Sequence, residues 1–162
     1  MNNIITCEPV EINVTPYGFY MFANDYYNVA RKASEISFGK RINYPAYFLY
    51  CRSIELTIKS VLLASKKYSL DEIKTHDFSK LLPKLDKSLL KILIIGNSDK
   101  QMLNNLDKWY KTDQKKFEYF SLDTSTIFPV DSNKYPNLPR VDEVEKLNNK
   151  ILNPSVVKYV TA

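Results

Sequence analysis

The sequence predicts an all-α fold, an antiparallel up-and-down helical bundle with irregular N- and C-terminal extensions, and three observations carry that expectation. No proline lies between Pro16 and Pro45 or between Pro45 and Pro83, and long proline-free blocks are where helices fit. Only 3 glycines occur in 162 residues, too few for the many tight turns of an all-β chain. Apolar residues recur at helical spacing through most of the stretch from Pro16 to Tyr110.

Each element follows from local signals. Thr15 as N-cap and Pro16 in the first helical position open a helix over 16–38, with Tyr20, Ala23, Tyr27, Ala30 and Ala33 at helical spacing. "NYPAYFLY" restarts a helix, again with a proline in the first turn, and its length favours helix over strand across 45–67. Ser69 with Glu72 has the capping-box spacing, so a short helix is expected ahead of His76. From Asp77 a further helix places Leu81, Leu82, Leu85, Leu89 and Ile92 on one side and Lys80, Lys84, Lys87 and Lys91 on the other. Pro83 breaks or bends its first turns. Gly96 with Asn97 reads as a C-cap pair, and Ser98 with Gln101 as the capping box of a helix carrying Met102, Leu103, Leu106, Trp109 and Tyr110. A turn-rich, aromatic stretch follows, and "VDEVEKLNNKIL" gives a last short helix. "VEINVTP" alternates like a strand, but one edge segment does not make a sheet. The chain reads as one domain, residues 1–162, with its core over about 16–112 and an aromatic, proline-rich extension over 113–162.

Bulk properties narrow the function classes. Hydrophobic content of 44% with 25% charged residues is globular, and no uninterrupted apolar run, "ILII" among them, comes near the about 20 residues that span a bilayer. The first ten residues lack the basic and apolar regions of a secretory signal, and Cys7 and Cys51 form neither a metal spacing nor a disulfide framework. A cytoplasmic protein without membrane contact is expected. The net charge of +5 permits attraction to polyanions without demanding it.

One position in the helix over 45–67 stands apart. The stretch "FLYCRSIELTIKSVLLASK" is apolar on two flanks and small on a third side, through Ala46, Ser53, Thr57, Ser60 and Ala64, which suits the central helix of a bundle. Its remaining window gathers Phe48, Arg52, Glu55, Lys59 and Lys66. Two arrangements fit. In one, the window is a solvated strip in which Arg52, Glu55 and Lys59 form ordinary i,i+3 and i,i+4 pairs, each worth about 0.2–0.5 kcal/mol. In the other, it faces the segment of His76, and Glu55 accepts hydrogen bonds from His76 or from free backbone amides at the helix start there.

The pairing of "YFLYCRSIELTIKSVLLASK" with "THDFSKLL" resembles HEPN-domain proteins. In that family a central helix with an A/S-I-E-L-x-x-K-x-x-L pattern is followed by an H-D-L-x-K-L-L helix start. The matching positions are Ser53, Ile54, Glu55, Leu56, Lys59 and Leu62, then His76, Asp77, Phe78, Lys80, Leu81 and Leu82. Phe78 replaces the usual leucine and Pro83 is a departure. The likeness covers about residues 17–110, and "KWYKTDQKKFEYFSLDTSTIFP" is only loosely similar to a "YYYRYP"-like region of some members. The resemblance implies an antiparallel bundle, frequently a homodimer, found in toxin and antitoxin pairs, in phage defence and in nucleotide-associated modules, with a nucleotidyltransferase-like protein, RNA or a nucleotide as partner. The family's ribonucleases carry Arg-x(4 to 6)-His, because RNA cleavage without metal needs an imidazole acid or base beside a cation. Here the arginine's places hold Asp71, Leu70 and Ser69, and no second histidine exists.

Other chemistries find less. Neither phosphate-cradling glycine motif occurs, and one histidine with two distant cysteines makes no zinc site without carboxylates. Cys51 beside an apolar flank is expected in the core, and His76 at a helix start is expected to be structural more than catalytic. The lysine face of Lys80, Lys84, Lys87 and Lys91 suits nucleic-acid contact, although solvated lysines are the commoner meaning and Asp71, Glu72, Asp77 and Asp86 interrupt it. The expectation is a non-catalytic binding or regulatory module without a cofactor, its ligand held by Arg52, Glu55, Lys59, His76 and Asp77. The alternatives are a metal-independent ribonuclease-type toxin, with His76 as acid or base and Arg52 or Lys59 as cation, and a structural interaction module docking through its aromatic C-terminal segment.

Overall fold

A computed structural model describes residues 14–37, 42–111 and 138–162. Among these the structure is all-α, with seven α-helices and no strand. The helices are α1 (Pro16–Ser34), α2 (Tyr44–Ala64), α3 (Phe78–Leu81), α4 (Lys87–Ile92), α5 (Asn97–Tyr110), α6 (Val141–Ile151) and α7 (Pro154–Val160), with single 3-10 turns at Asp71–Ile73 and Leu82–Lys84. The strand-like alternation before Pro16 and the aromatic stretch after Lys111 lie almost wholly outside the described residues. No described helix is long and apolar enough to cross a membrane.

Helix starts follow their sequence signals. Thr15 Oγ1 accepts from Gly18 N at 2.9 Å with Pro16 in the first turn, and Asn43 Oδ1 accepts from Ala46 N at 3.1 Å ahead of Pro45. Helix ends depart from them. α1 stops at Ser34 rather than near 38, and α2 at Ala64 rather than 67, because Lys66 turns into the left-handed region (φ 58°) and its N–H bonds back to Leu63 O.

The long amphipathic helix expected from Asp77 is divided. Pro83 closes α3 into a 3-10 turn, Leu85 and Asp86 are extended, and Asp86 then caps α4 by accepting from Ser88 N and Leu89 N. Lys80 and Lys84 therefore stand on a different element from Lys87 and Lys91, and the four do not form one helical stripe. Gly96 is not a C-cap either. Ile94 takes the left-handed position (φ 56°) that ends α4, with Ile95 N bonded to Leu90 O, the closure of a Schellman motif. Gly96 instead begins α5, where Asp99 Oδ2, not Gln101, accepts from Gly96 N at 2.7 Å. α7 had no expected counterpart, although Asn153 with Pro154 is a cap followed by a first-turn proline.

α2 is the centre. It packs most extensively against α1 and also touches α3, α5, α6 and α7. Its small side admits α1 so closely that Ser53 Oγ reaches the Ala23 carbonyl at 2.7 Å. Asn148 of α6 completes the joint, its Oδ1 2.9 Å from Ser53 Oγ and its Nδ2 donating to Tyr50 O at 3.0 Å. Tyr50, Cys51, Ile54, Ile58, Val61 and Leu62 are buried along α2, so Cys51 is a core residue as expected, and burial pushes its thiol well up from the usual range.

Ile94 is a β-branched residue in a left-handed conformation with half its surface exposed, so it carries strain without burying much in return. Ile94→Gly is expected to raise stability by about 0.5–1 kcal/mol, the relief exceeding glycine's greater freedom in the unfolded chain. Urea unfolding reads this as a higher midpoint at unchanged slope, and a lower midpoint contradicts it.

Candidate functional site

Glu55 lies in the middle of α2 with no solvent exposure, so the solvated-strip arrangement does not occur. Its carboxylate is enclosed by four side chains. Arg52 Nη1 donates to Oε1 at 3.0 Å and to Oε2 at 3.2 Å. Lys59 Nζ donates to Oε1 at 2.6 Å. His76 Nδ1 stands 3.0 Å from Oε2, and Tyr110 Oη of α5 donates to the same oxygen at 2.5 Å. The contact expected between α2 and the histidine segment is thus formed, through the imidazole. The backbone amides at the start of α3 go to another carboxylate: Asp107 of α5 accepts from Phe78 N at 2.6 Å and from Ser79 N at 3.2 Å.

His76 Nδ1 is also 2.8 Å from Arg52 Nη1. One ring nitrogen cannot donate to the carboxylate and accept from the guanidinium at once. A bare lone pair facing a buried carboxylate at 3.0 Å would be repelled, whereas an N–H there makes a charge-assisted bond. That assigns the hydrogen to Nδ1, leaves Arg52 paired with Glu55, and frees Nε2 for groups outside the cluster.

The electrostatics follow from this enclosure. Burial alone would raise the Glu55 carboxyl, but His76, Lys59 and Arg52 together outweigh it and hold it at about 2. Burial first, then the charge and hydrogen bond of Glu55, push the Tyr110 hydroxyl far up. Burial favours a lower value for Arg52, but Glu55 and Tyr110 overcome it and keep the guanidinium charged. Tyr110 also packs its ring on Phe78, centroids 5.4 Å apart, and lies edge-on to His76 at 6.4 Å.

The expected ligand-binding residues divide between an inner and an outer layer. Glu55 and Lys59 are buried and spent on each other, and Asp77 is buried with its Oδ2 on Lys80 Nζ at 2.5 Å. Arg52 is partly exposed, and the His76 side chain is 47% exposed. His76 alone of these five lines an open cleft of about 680 Å³, together with Glu72, Lys74, Thr75, Lys80 and Lys84. Of the expected nucleic-acid residues, Lys80 and Lys84 line the cleft, and Lys87 and Lys91 do not. Sequence reasoning missed Tyr110 and Asp107, which sit on the inward side of α5. Their spacing of three was the available signal. Among the described residues no three of His, Cys, Asp and Glu gather as a metal site.

Comparison of the chain with protein-family models, with characterised proteins and with solved structures finds no match.

Glu55→Gln keeps the shape but removes the charge that Arg52 and Lys59 share, and is expected to cost about 3–5 kcal/mol in urea unfolding, against about 1–3 kcal/mol for Tyr110→Phe. Equal and small losses would show that the cluster does not hold the fold. The depressed Glu55 carboxyl sets the pH sign. Its stabilisation is complete above the unfolded carboxyl value, 4.5, and disappears as pH falls toward about 2. Wild type is therefore expected to lose about 3 kcal/mol more than Glu55→Gln across that window, and parallel pH profiles would refute the linkage.

Proposed function

We propose that this chain is a non-catalytic, HEPN-like binding or regulatory module whose ligand is held beside His76. The observation that carries the reading is the four-partner enclosure of Glu55, which commits Arg52, Lys59 and Tyr110 to structure. Glu55 is held ionised and Tyr110 is held protonated, so neither exchanges protons near neutrality. His76 is then the one member of the cluster both exposed to the cleft and chemically adaptable. The HEPN setting rests on the motif residues of α2 and of the His76 segment. It brings with it the proposal of a homodimer in a toxin and antitoxin, phage-defence or nucleotide-associated system, with a nucleotidyltransferase-like protein as candidate partner.

One observation favours the ribonuclease reading. A buried carboxylate on Nδ1 with Nε2 left over is how a general base is commonly held, and a guanidinium stands 2.8 Å from the same ring. In that reading Arg52 supplies the cation, since Lys59 is buried. Against it, strand cleavage by general acid–base catalysis needs a base at the attacking hydroxyl and an acid at the leaving oxygen.

Incubating an RNA oligonucleotide with wild type and with His76→Ala decides between them. Neither is expected to cleave it. Cleavage by wild type that His76→Ala abolishes would overturn the binding-module reading.

A further inference from the structure

We propose that the cleft beside His76 is a site for a phosphomonoester dianion, the terminal phosphate of a small phosphorylated ligand. This rests on the binding-module reading and gives its ligand a chemical class. The cleft's volume of about 680 Å³ lies within the range of small-molecule sites. Its lining is rich in donors, the ammonium groups of Lys74, Lys80 and Lys84 and the Thr75 hydroxyl, with the His76 ring beside them. Thr75 Oγ1 accepts from Asp77 N at 3.1 Å, which leaves its own hydrogen to give. Glu72, the one acidic lining residue, is turned onto Ser69, accepting from its N–H and its hydroxyl at 2.8 Å each.

Charge balance sets the valence. Among the residues that line the cleft, three cations (Lys74, Lys80 and Lys84) face one carboxylate (Glu72), which leaves +2 before His76 is counted. A phosphomonoester at neutral pH carries close to that charge with opposite sign, whereas a phosphodiester carries one.

The same geometry disfavours a polynucleotide backbone as occupant. Following a strand takes a line of cations. Here the lysines part at the extended Leu85 and Asp86, Lys87 and Lys91 fall outside the cleft, and Asp86 at the junction takes Lys67 at 2.6 Å.

His76 is the only histidine in the chain, so its imidazole proton resonances are a unique reporter. They are followed at about pH 7.5, where a phosphate monoester is mostly dianionic, during titration with inorganic phosphate and, separately, with dimethyl phosphate. Inorganic phosphate is expected to shift them saturably and to bind about tenfold more tightly than dimethyl phosphate. Lys74→Ala and Lys84→Ala are each expected to weaken phosphate by about tenfold, while Lys87→Ala and Lys91→Ala, the same charge change outside the cleft, change it by less than about twofold. Should Lys84→Ala also lower the melting temperature, through its contact with the Tyr68 ring, Lys74→Ala decides alone. Absence of a saturable shift, equal binding of dimethyl phosphate, or equal loss in the Lys87 and Lys91 variants would overturn the site. Such a failure with RNA left intact would discard the phosphate and keep the binding-module reading. Cleaved RNA would discard that reading whatever phosphate does.

Discussion

A carboxylate taken out of water has to be solvated by the protein, and Glu55 obliges the rest of the molecule to supply what water would have given. Leaving such a charge unpaired costs several kcal/mol, so its partners are conditions for α2 lying where it does. Arg52 and Lys59 come from α2 itself and are present once the helix forms. His76 and Tyr110 come from two other parts of the chain. The carboxylate therefore joins α2, the segment before α3, and α5 at one point, and it selects the packing in which all three meet.

A second carboxylate makes that junction specific. Asp107, three residues before Tyr110, takes the amides of Phe78 and Ser79 just beyond His76. One turn of α5 thus fixes the His76 segment twice, through Tyr110 and Glu55 on one side and through Asp107 on the other. Four residues of α3 are too few to form alone, so their helical geometry depends on this outside cap. On the opposite side of α2, Ser53 and Asn148 do for α1 and α6 what Glu55 does for α5. α2 is held by polar groups on two sides and by apolar packing between them, which defines its rotation as well as its position.

How much of this was legible in the sequence depends on whether the controlling interaction was local. Thr15 with Pro16 announced the start of α1 and Pro45 that of α2, because these signals act within one turn, and Asn43 adds a cap that the sequence reading did not name. The apolar flanks and small side of α2 announced its central place. The ends were not announced: Lys66 and Ile94 occupy left-handed positions that usually take glycine, while Gly96 nearby serves as an N-cap. Pro83 signalled a break, but Asp86 as the next cap was hidden by the leucine periodicity running through it. At the site, an acidic residue in an apolar helix left two arrangements open, a solvated strip or a contact with the His76 segment, and the burial of Glu55 decides for the contact. Tyr110 and Asp107 were not legible, since their meaning depends on a packing between residues 29 and 55 positions apart.

What the buried cluster does for the cleft is set the orientation of a single ring. With Nδ1 held against Glu55 and the imidazole edge against Tyr110, His76 has little freedom to turn, and its outward nitrogen sits among groups that favour negative charge. The restraint has two consequences of different kinds. It lowers the entropy that a ligand must pay to order the side chain, which favours binding. It also fixes the hydrogen on the inner nitrogen, so the outer one accepts while the ring is neutral and donates once it is protonated. The inner hydrogen rests on Glu55 whether or not the cleft is filled, so one buried carboxylate both supports the fold and presets the ring, and any occupant of the cleft adds to the stability of the folded chain by mass action.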